Sequence, residues 1–342
     1  MATMDKISVA GLLPEELSAL PGVSPQFRGK QIFKWLGNGA ASFQEMRNLP
    51  QHLRDSLSET AAVRSSQIAQ ELRDPDGTVK LQITLHDGAC IETVLLTDSS
   101  GRKTACVSCQ AGCAMGCAFC QTGKLGLARN LDAAEIVEQF LYLEQVSGKL
   151  DNIVFMGMGE PMMNLSAVRK AVAVLTHPEG RGLSARRITV STSGIIKGIY
   201  DLADNGPHMR LAVSLTTADP ELRERLMPVT KGNPLPELQK AIAYYTEKSK
   251  KRCTLEAALL AGMNTGTASA ERLIEFARGL DVHINLIPWN PVPGLPFAEP
   301  SAAECTAFVR LLEKARLNVT LRTRRGRKIG GACGQLGKIT VE

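Results

Sequence analysis

The 342-residue chain is predicted to fold as an α/β protein, with a parallel sheet flanked by helices, preceded by a helical segment and a small antiparallel β extension. Three observations carry this. Between residues about 105 and 322, apolar stretches of strand length alternate with helical patterns about six times. A period-two stretch with an Asp-Gly turn lies before them. The first 60 or so residues instead space their apolar positions as helices do.

Ser24 and Pro25 pair an N-cap residue type with a proline suited to the first helical position. Phe27, Ile32, Phe33, Trp35 and Leu36 then give one apolar face, and Gly37 sits where a helix-ending glycine belongs. Ser42 and Glu45 have capping-box spacing, and Pro50 restarts the pattern before "QHLRDSL". Residues 1–60 are therefore expected to form a helical accessory domain. In the expected β extension, residues 61–104, Val79, Leu81, Ile83 and Leu85 alternate with Lys80, Gln82 and Thr84. Asp87-Gly88 makes the turn and "ACIETVLL" the return strand. In the core, residues 105–322, strands are expected at about 104–108, 152–156, 187–191, 209–215, 253–260 and 282–287. Helices lie between them, for example Asp132 to Val146 with Asp132 and Glu135 at capping spacing, and another is expected at about 301–316. Residues 323–342 form a C-terminal tail. Six β/α units fit a partial barrel or an open doubly wound sheet, and in both the chemistry collects at the C-terminal ends of the strands.

The N-terminus lacks a secretory pattern, and no run approaches about 18 apolar residues. A cytoplasmic protein with reduced thiols is expected, in which clustered cysteines serve as metal ligands or catalytic groups. The net charge is +6, from 40 Lys+Arg against 34 Asp+Glu. Two basic runs, Arg322 to Lys328 and Lys248 to Arg252, raise the odds of a polyanionic partner, although such runs are usually solvated surface.

The stretch "CVSCQAGCAMGCAFCQTG" holds five of the chain's nine cysteines, Cys106, Cys109, Cys113, Cys117 and Cys120, just after the first core strand. Cys113, Cys117 and Cys120 form C-x3-C-x2-C. Three thiolates on a short loop can hold three irons of a 4Fe–4S cluster and leave the fourth open to a ligand. A zinc site built from Cys106-x2-Cys109 and Cys117-x2-Cys120, or simply buried thiols, is the alternative on spacing alone.

The cysteine loop resembles that of the radical SAM superfamily. With "MGMGEP" (Met156 to Pro161), "STSG" (Ser191 to Gly194), "LIPWNPVPG" (Leu286 to Gly294), "GACGQL" (Gly331 to Leu336) and "FRGKQIFKWL" (Phe27 to Leu36), the chain resembles the RlmN/Cfr family of RNA adenine methyltransferases from about Phe27 to Leu336. The resemblance implies a radical SAM partial (β/α)6 barrel as the core. It implies cluster ligands at Cys113, Cys117 and Cys120. It implies S-adenosylmethionine contacts at Gly159, Glu160, Ser191, Ser214, Leu215, Thr216 and Asn290. Thr216 stands where the family usually has histidine, and Cys109, where serine is usual, has no family role.

The same resemblance implies that Cys333 takes a methyl group from one S-adenosylmethionine. A radical made from a second molecule removes a hydrogen from that S-methyl, and the methylene adds to the adenine carbon. Cys106 then resolves the protein–RNA thioether through a transient disulfide with Cys333, and Glu92 matches a proton acceptor. A strand glutamate is otherwise a solvated face residue, and Cys333 a lone thiol in a flexible glycine-flanked tail. The implied substrate is an adenine of 23S ribosomal RNA, methylated at C2, with an anticodon-loop adenine of tRNA as a further target. An electron donor such as flavodoxin and a monomeric state are implied as well. C8 methylation of the same adenine, as in the Cfr branch, and a non-catalytic Fe–S RNA-binding protein are the competing readings. Retention of both Cys106 and Cys333 argues against the latter.

Overall fold

The computed structural model describes residues 6–337. Residues 1–5 of the expected N-terminal domain and 338–342 of the expected tail lie outside the described residues. One ten-stranded sheet organises the chain. From one edge, Val319–Leu321, Val282–Pro288, Cys253–Leu259, Arg210–Ser214, Ile188–Thr192, Asn152–Phe155 and Lys103–Cys106 run parallel. Cys90–Thr97, Val79–Thr84 and Gln67–Arg73 then continue it antiparallel. The two edge strands, Val319–Leu321 and Gln67–Arg73, are not paired with each other, so the sheet is open.

Each of the six expected core strands is present, and Val319–Leu321 adds a seventh parallel one. The antiparallel part is no separate layer, because Val94 of Cys90–Thr97 pairs with Cys106 of the first parallel strand. The Asp-Gly turn forms as expected: Leu85 N–H donates to the Ala89 carbonyl at 2.8 Å, and Gly88 has φ +82°. Helices close the outer face. Ala133–Ser147 starts with the expected capping box, in which Glu135 N–H donates to Asp132 Oδ1 at 2.8 Å and Asp132 N–H to Glu135 Oε2 at 3.0 Å. Such a cap is worth about 1 kcal/mol. Ile136, Val137, Phe140 and Leu143 of this helix are buried against the sheet.

Several local readings of the sequence are corrected. The helix of the "FRGKQIFKWL" stretch is Phe27–Gly37, so Pro25 lies before its first turn and Gly37 is its last residue. Ser42 and Glu45 do meet, with Ser42 Oγ donating to Glu45 Oε1 at 3.0 Å, but they bracket a three-residue 3-10 turn, Phe43–Glu45. The N-terminal elements share the main core. Phe33 packs edge-on to His177 with ring centroids 4.9 Å apart, and Ser8 Oγ donates to Glu138 Oε1 at 2.6 Å. Among the described residues no helix is long and apolar enough to cross a membrane.

The strand alternation aims the polar ends of the sheet at one place. In Ile188–Thr192, Ile188, Val190 and Thr192 are buried while Thr189 and Ser191 turn to the other side. Ser191, Ser214, Glu256 and Ile287 all open on one cavity near the C-terminal ends of their strands.

Candidate active site

The cysteine loop is bracketed by a hairpin, Gln110–Cys113 with Gly126–Asn130. Cys113 ends the first of these strands, and Cys120 precedes the short helix Gln121–Lys124. The loop is fixed by backbone bonds from three directions. Ala118 N–H donates to the Leu226 carbonyl at 2.9 Å, Trp289 Nε1–H to Phe119 O at 3.0 Å, and Gln121 N–H to Gly334 O at 2.8 Å. Cys117 and Phe119 pack on a second apolar cluster that includes Leu222, Leu226, Met227 and Trp289. The tryptophan of "LIPWNPVPG" therefore pins the loop.

Cys113, Cys117 and Cys120 line a cavity of about 190 Å³, together with Gly159, Glu160, Ser191, Ser214, Thr216 and Asn290. The structure thus gathers six of the seven expected cofactor contacts around the three thiols. Leu215 is fully buried and packs in the main core. Burial pushes the Cys113 thiol up to about 11 and raises Cys117 further still. Cys109 is packed in the main core beneath the loop. Among the described residues no three His, Cys, Asp or Glu side chains converge as a single-ion site would.

Glu160 is buried, and desolvation raises its pKa against the pull of its donors. Ser193 N–H and Ser193 Oγ both donate to Glu160 Oε2 at 2.7 Å, and Met162 N–H donates to Oε1 at 3.1 Å. Gly159 before it has φ +100° and lies against Gln110, whose Oε1 accepts from Glu160 N–H at 2.8 Å. Thr216 takes φ +61°, a left-handed conformation costly for a β-branched residue. Asn264 Nδ2–H holds its carbonyl at 3.0 Å, and Thr216 N–H donates to Glu256 O at 3.1 Å. Among the described residues Asn290 Oδ1 is buried with no hydrogen-bond partner, while its Nδ2–H donates to the Cys333 carbonyl at 3.3 Å. Three thiols on one loop, a buried carboxylate and an orphaned acceptor in one wall fit a cluster with a polar ligand beside it.

Sequence reasoning missed Arg223. It is fully buried on the helix Pro220–Leu226 and makes no ion pair among the described residues. Its guanidinium donates to Ser193 O at 2.7 Å, Thr230 Oγ1 at 2.6 Å and Leu215 O at 3.2 Å. Burial lowers its pKa to about 10, opposed by Cys117. It ties two strand ends, and hence Glu160 through Ser193, to the helix whose Leu226 carbonyl holds the cysteine loop. The only sequence signal was an arginine in an otherwise amphipathic "PELRERL" pattern.

Cys333 and Cys106 open on a neighbouring cavity of about 420 Å³, and Cys120, Asn290 and Cys333 lie in both walls. All nine cysteines are free thiols. Cys106 ends the first parallel strand, and burial, with the nearby Cys333 thiol, pushes it up to about 12. Burial raises Cys333 as well, and Arg322 lowers it. Cys333 is nonetheless exposed, and it lines both cavities. Its segment is not the loose tail expected from its glycines, since Thr122 Oγ1 donates to Leu336 O at 2.6 Å and Gln335 Nε2–H to Pro291 O at 2.8 Å. Glu92 is no solvated face residue: it is fully buried and paired with Lys80 at 2.8 Å.

Several residues of the basic runs have acidic neighbours. Arg324 and Arg327 both pair with Glu299, and Arg322 faces Cys106, Cys333 and Glu256. Lys248 to Arg252 precede the N-terminal end of the strand Cys253–Leu259, opposite the cavity, and Arg252 lies 3.9 Å from Asp281.

A parallel sheet whose strand ends converge on a three-cysteine loop is the arrangement of a radical SAM enzyme, and the model of the radical SAM superfamily matches residues 107–276. Such enzymes use a 4Fe–4S cluster and S-adenosylmethionine. The model of the ribosomal RNA large subunit methyltransferase N-terminal domain matches residues 23–63. Two curated relatives bear the name probable dual-specificity RNA methyltransferase RlmN. That of Treponema denticola is 58% identical over 98% of this chain and 97% of its own. That of Treponema pallidum (strain Nichols) is 54% identical over 97% of both. The crystal structure of a radical SAM methyltransferase from Sphaerobacter thermophilus superposes with a TM-score of 0.93 at 40% identity, over 96% of this chain and 99% of that one. The chain belongs to the RlmN family.

Proposed function

We propose that the enzyme methylates C2 of an adenine in 23S ribosomal RNA in the cytoplasm, with an anticodon-loop adenine of tRNA as a further substrate, and that Cys333 carries the methyl group. The observation that carries this reading is the placement of Cys333. It lies in the wall shared by the thiol-loop cavity and the cavity that holds Cys106. One sulfur can thus face a methyl donor on one side and a base on the other. Adenine C2 is an electrophilic ring carbon without a lone pair, so direct displacement on a methyl donor is closed to it.

The cluster and S-adenosylmethionine supply the methyl group and a hydrogen-abstracting radical. The chain's own residues do the rest. Cys113, Cys117 and Cys120 hold the cluster, while Glu160 and Asn290 offer acceptors to the donor's polar groups. Cys333 loses its thiol proton as it accepts the methyl. Once the ring adduct has given up its C2 proton to solvent and one electron, which a bound cluster would accept, Cys106 as thiolate attacks the Cys333 sulfur of the protein–base thioether; the carbon–sulfur electron pair stays on the carbon, which takes a proton to become the methyl group. The disulfide formed with Cys333 needs two electrons and two protons from an external thiol. The target adenine must be unstacked, because its edge is unreachable in a helix. Arg325 and Lys328, which carry no side-chain ion pair among the described residues, supply phosphate contacts beside the Cys333 cavity.

Mass spectrometry of Cys333 tests the carrier role. Protein isolated with its cluster should carry an added methyl there and on no other cysteine. Cys106→Ala should accumulate a covalent RNA adduct. RNA methylation at the normal rate by Cys333→Ala would exclude the mechanism.

A further inference from the structure

The segment around Cys333 is fastened on both sides by one buried unit. Downstream, Gly337 N–H donates to Glu92 Oε2 at 2.6 Å. Upstream, Lys80 Nζ–H reaches the Gly330 carbonyl at 3.5 Å. Lys80 and Glu92 belong to adjacent antiparallel strands and pair with each other at 2.8 Å, their side chains 4% and 0% exposed. Gln82 Nε2–H adds a bond to Glu92 Oε1 at 3.1 Å. Glu92 therefore has both oxygens engaged, and one of them by the tail itself.

A buried ion pair contributes little net stability, since its attraction is largely offset by the cost of taking both charges out of water. Two apolar side chains would fill this place as well. What the pair offers, and an apolar pair could not, is a fixed anion for the Gly337 amide and a fixed cation for the Gly330 carbonyl. Bonds to charged groups are the stronger ones. They brace the two ends of the stretch that holds Cys333, whose own carbonyl rests on Asn290.

We infer that Lys80 and Glu92 are positioning residues that latch the segment 330–337 and so hold Cys333 between the two cavities. The consequence for methyl transfer rests on the reading of Cys333 as carrier, but the latch itself is a property of the chain without cofactors.

The test uses the full-length chain, free of cluster and donor, with two readouts: hydrogen exchange of the 330–337 amides and the rate at which iodoacetamide alkylates Cys333. Lys80→Met/Glu92→Met removes both charges together and keeps the volume filled. Gly337→Ala acts from the tail side, because its φ of +101° disfavours a side chain and its Cβ would meet Leu125 Cδ1 at 2.7 Å. In both variants exchange and alkylation should speed up by about tenfold to a hundredfold, the range of a lost charge-assisted bond, and the double variant should keep a melting temperature close to wild type. Lys80→Arg, which keeps the charge, should show near-normal protection. Wild-type exchange and alkylation in the double variant and in Gly337→Ala would overturn the latch. Open tails combined with undiminished RNA methylation by the reconstituted enzyme would leave the latch standing and count against Cys333 as the carrier.

Discussion

Replacing Gly159 by alanine should damage the cofactor site through both backbone strain and crowding. Gly159 sits at φ +100°, and a Cβ there would lie 2.5 Å from Gln110 Cβ and 2.8 Å from Gln110 N. The left-handed conformation costs an L residue about 1–2 kcal/mol. Forcing a methyl into a filled place adds about 1–3 kcal/mol. Together these give a destabilisation of about 2–5 kcal/mol, or on the order of 3–7 °C in melting temperature for a chain of this size. The shift cannot stay local, because Gln110 Oε1 holds the Glu160 amide and its Nε2–H donates to Asn130 Oδ1 at 2.7 Å. Glu160 moves with it, and S-adenosylmethionine affinity should fall by about tenfold or more, the effect of one misplaced charged contact. Thermal unfolding of the cluster-free chain and equilibrium dialysis of S-adenosylmethionine against reconstituted enzyme measure the two effects. Gly232→Ala, where a Cβ meets nothing within 4 Å, is the control and should stay within about 0.5 kcal/mol of wild type. A Gly159→Ala protein with wild-type melting temperature and affinity would refute this account of the loop.

Four further outcomes follow from the same geometry. Cys113→Ala, Cys117→Ala and Cys120→Ala should each lose the cluster's iron and its visible absorbance on reconstitution, whereas Cys109→Ala should keep both and lose only about 1 kcal/mol of stability for the vacated volume. Arg223→Leu strands the Ser193 and Leu215 carbonyls and Thr230 Oγ1, so unfolding by urea should show a loss of about 3–5 kcal/mol. Because the folded chain holds the Cys106 proton up to about pH 12, the stability tied to that thiol is full below about pH 8.5 and is lost as pH rises towards 12. The stability gap between wild type and Cys106→Ala should therefore narrow over that window, and a constant gap would contradict the assignment. Glu299→Gln frees Arg324 and Arg327, and RNA binding should tighten with a slope of log affinity against log salt steeper by about 1–2; an unchanged slope would place those arginines off the RNA path.

What could be read from the sequence followed from signals whose physics is local. The capping box at Asp132, the Asp-Gly turn and the β-branched core strands each have a short-range cause, and each formed. The edges were invisible for the opposite reason. "QIAQELR" is built from good helix formers and becomes the strand Gln67–Arg73 only because Val79–Thr84 offers it a ladder. "VTL" is too short to announce itself, and "GLARN" pairs only because it closes the hairpin around the cysteine loop. The thiol loop could be found from its spacing, and the cavity contacts through family motifs. Arg223 and the Lys80–Glu92 pair could not, because their meaning lies in partners up to about 250 residues away in the chain. Glu92 shows this best: it sits on a strand, yet it is buried, and one of its partners is the Gly337 amide of the tail.

The central claim, that the Cys333 carrier delivers a methyl group to C2 of an adenine, is tested most directly by product analysis. Reconstituted enzyme would be incubated with a 23S rRNA fragment, a reductant and S-adenosylmethionine, and the RNA digested to nucleosides for comparison with authentic 2-methyladenosine and 8-methyladenosine. The account predicts 2-methyladenosine from the wild type and none from Cys333→Ala. An 8-methyladenosine product, or 2-methyladenosine formed without Cys333, would contradict it.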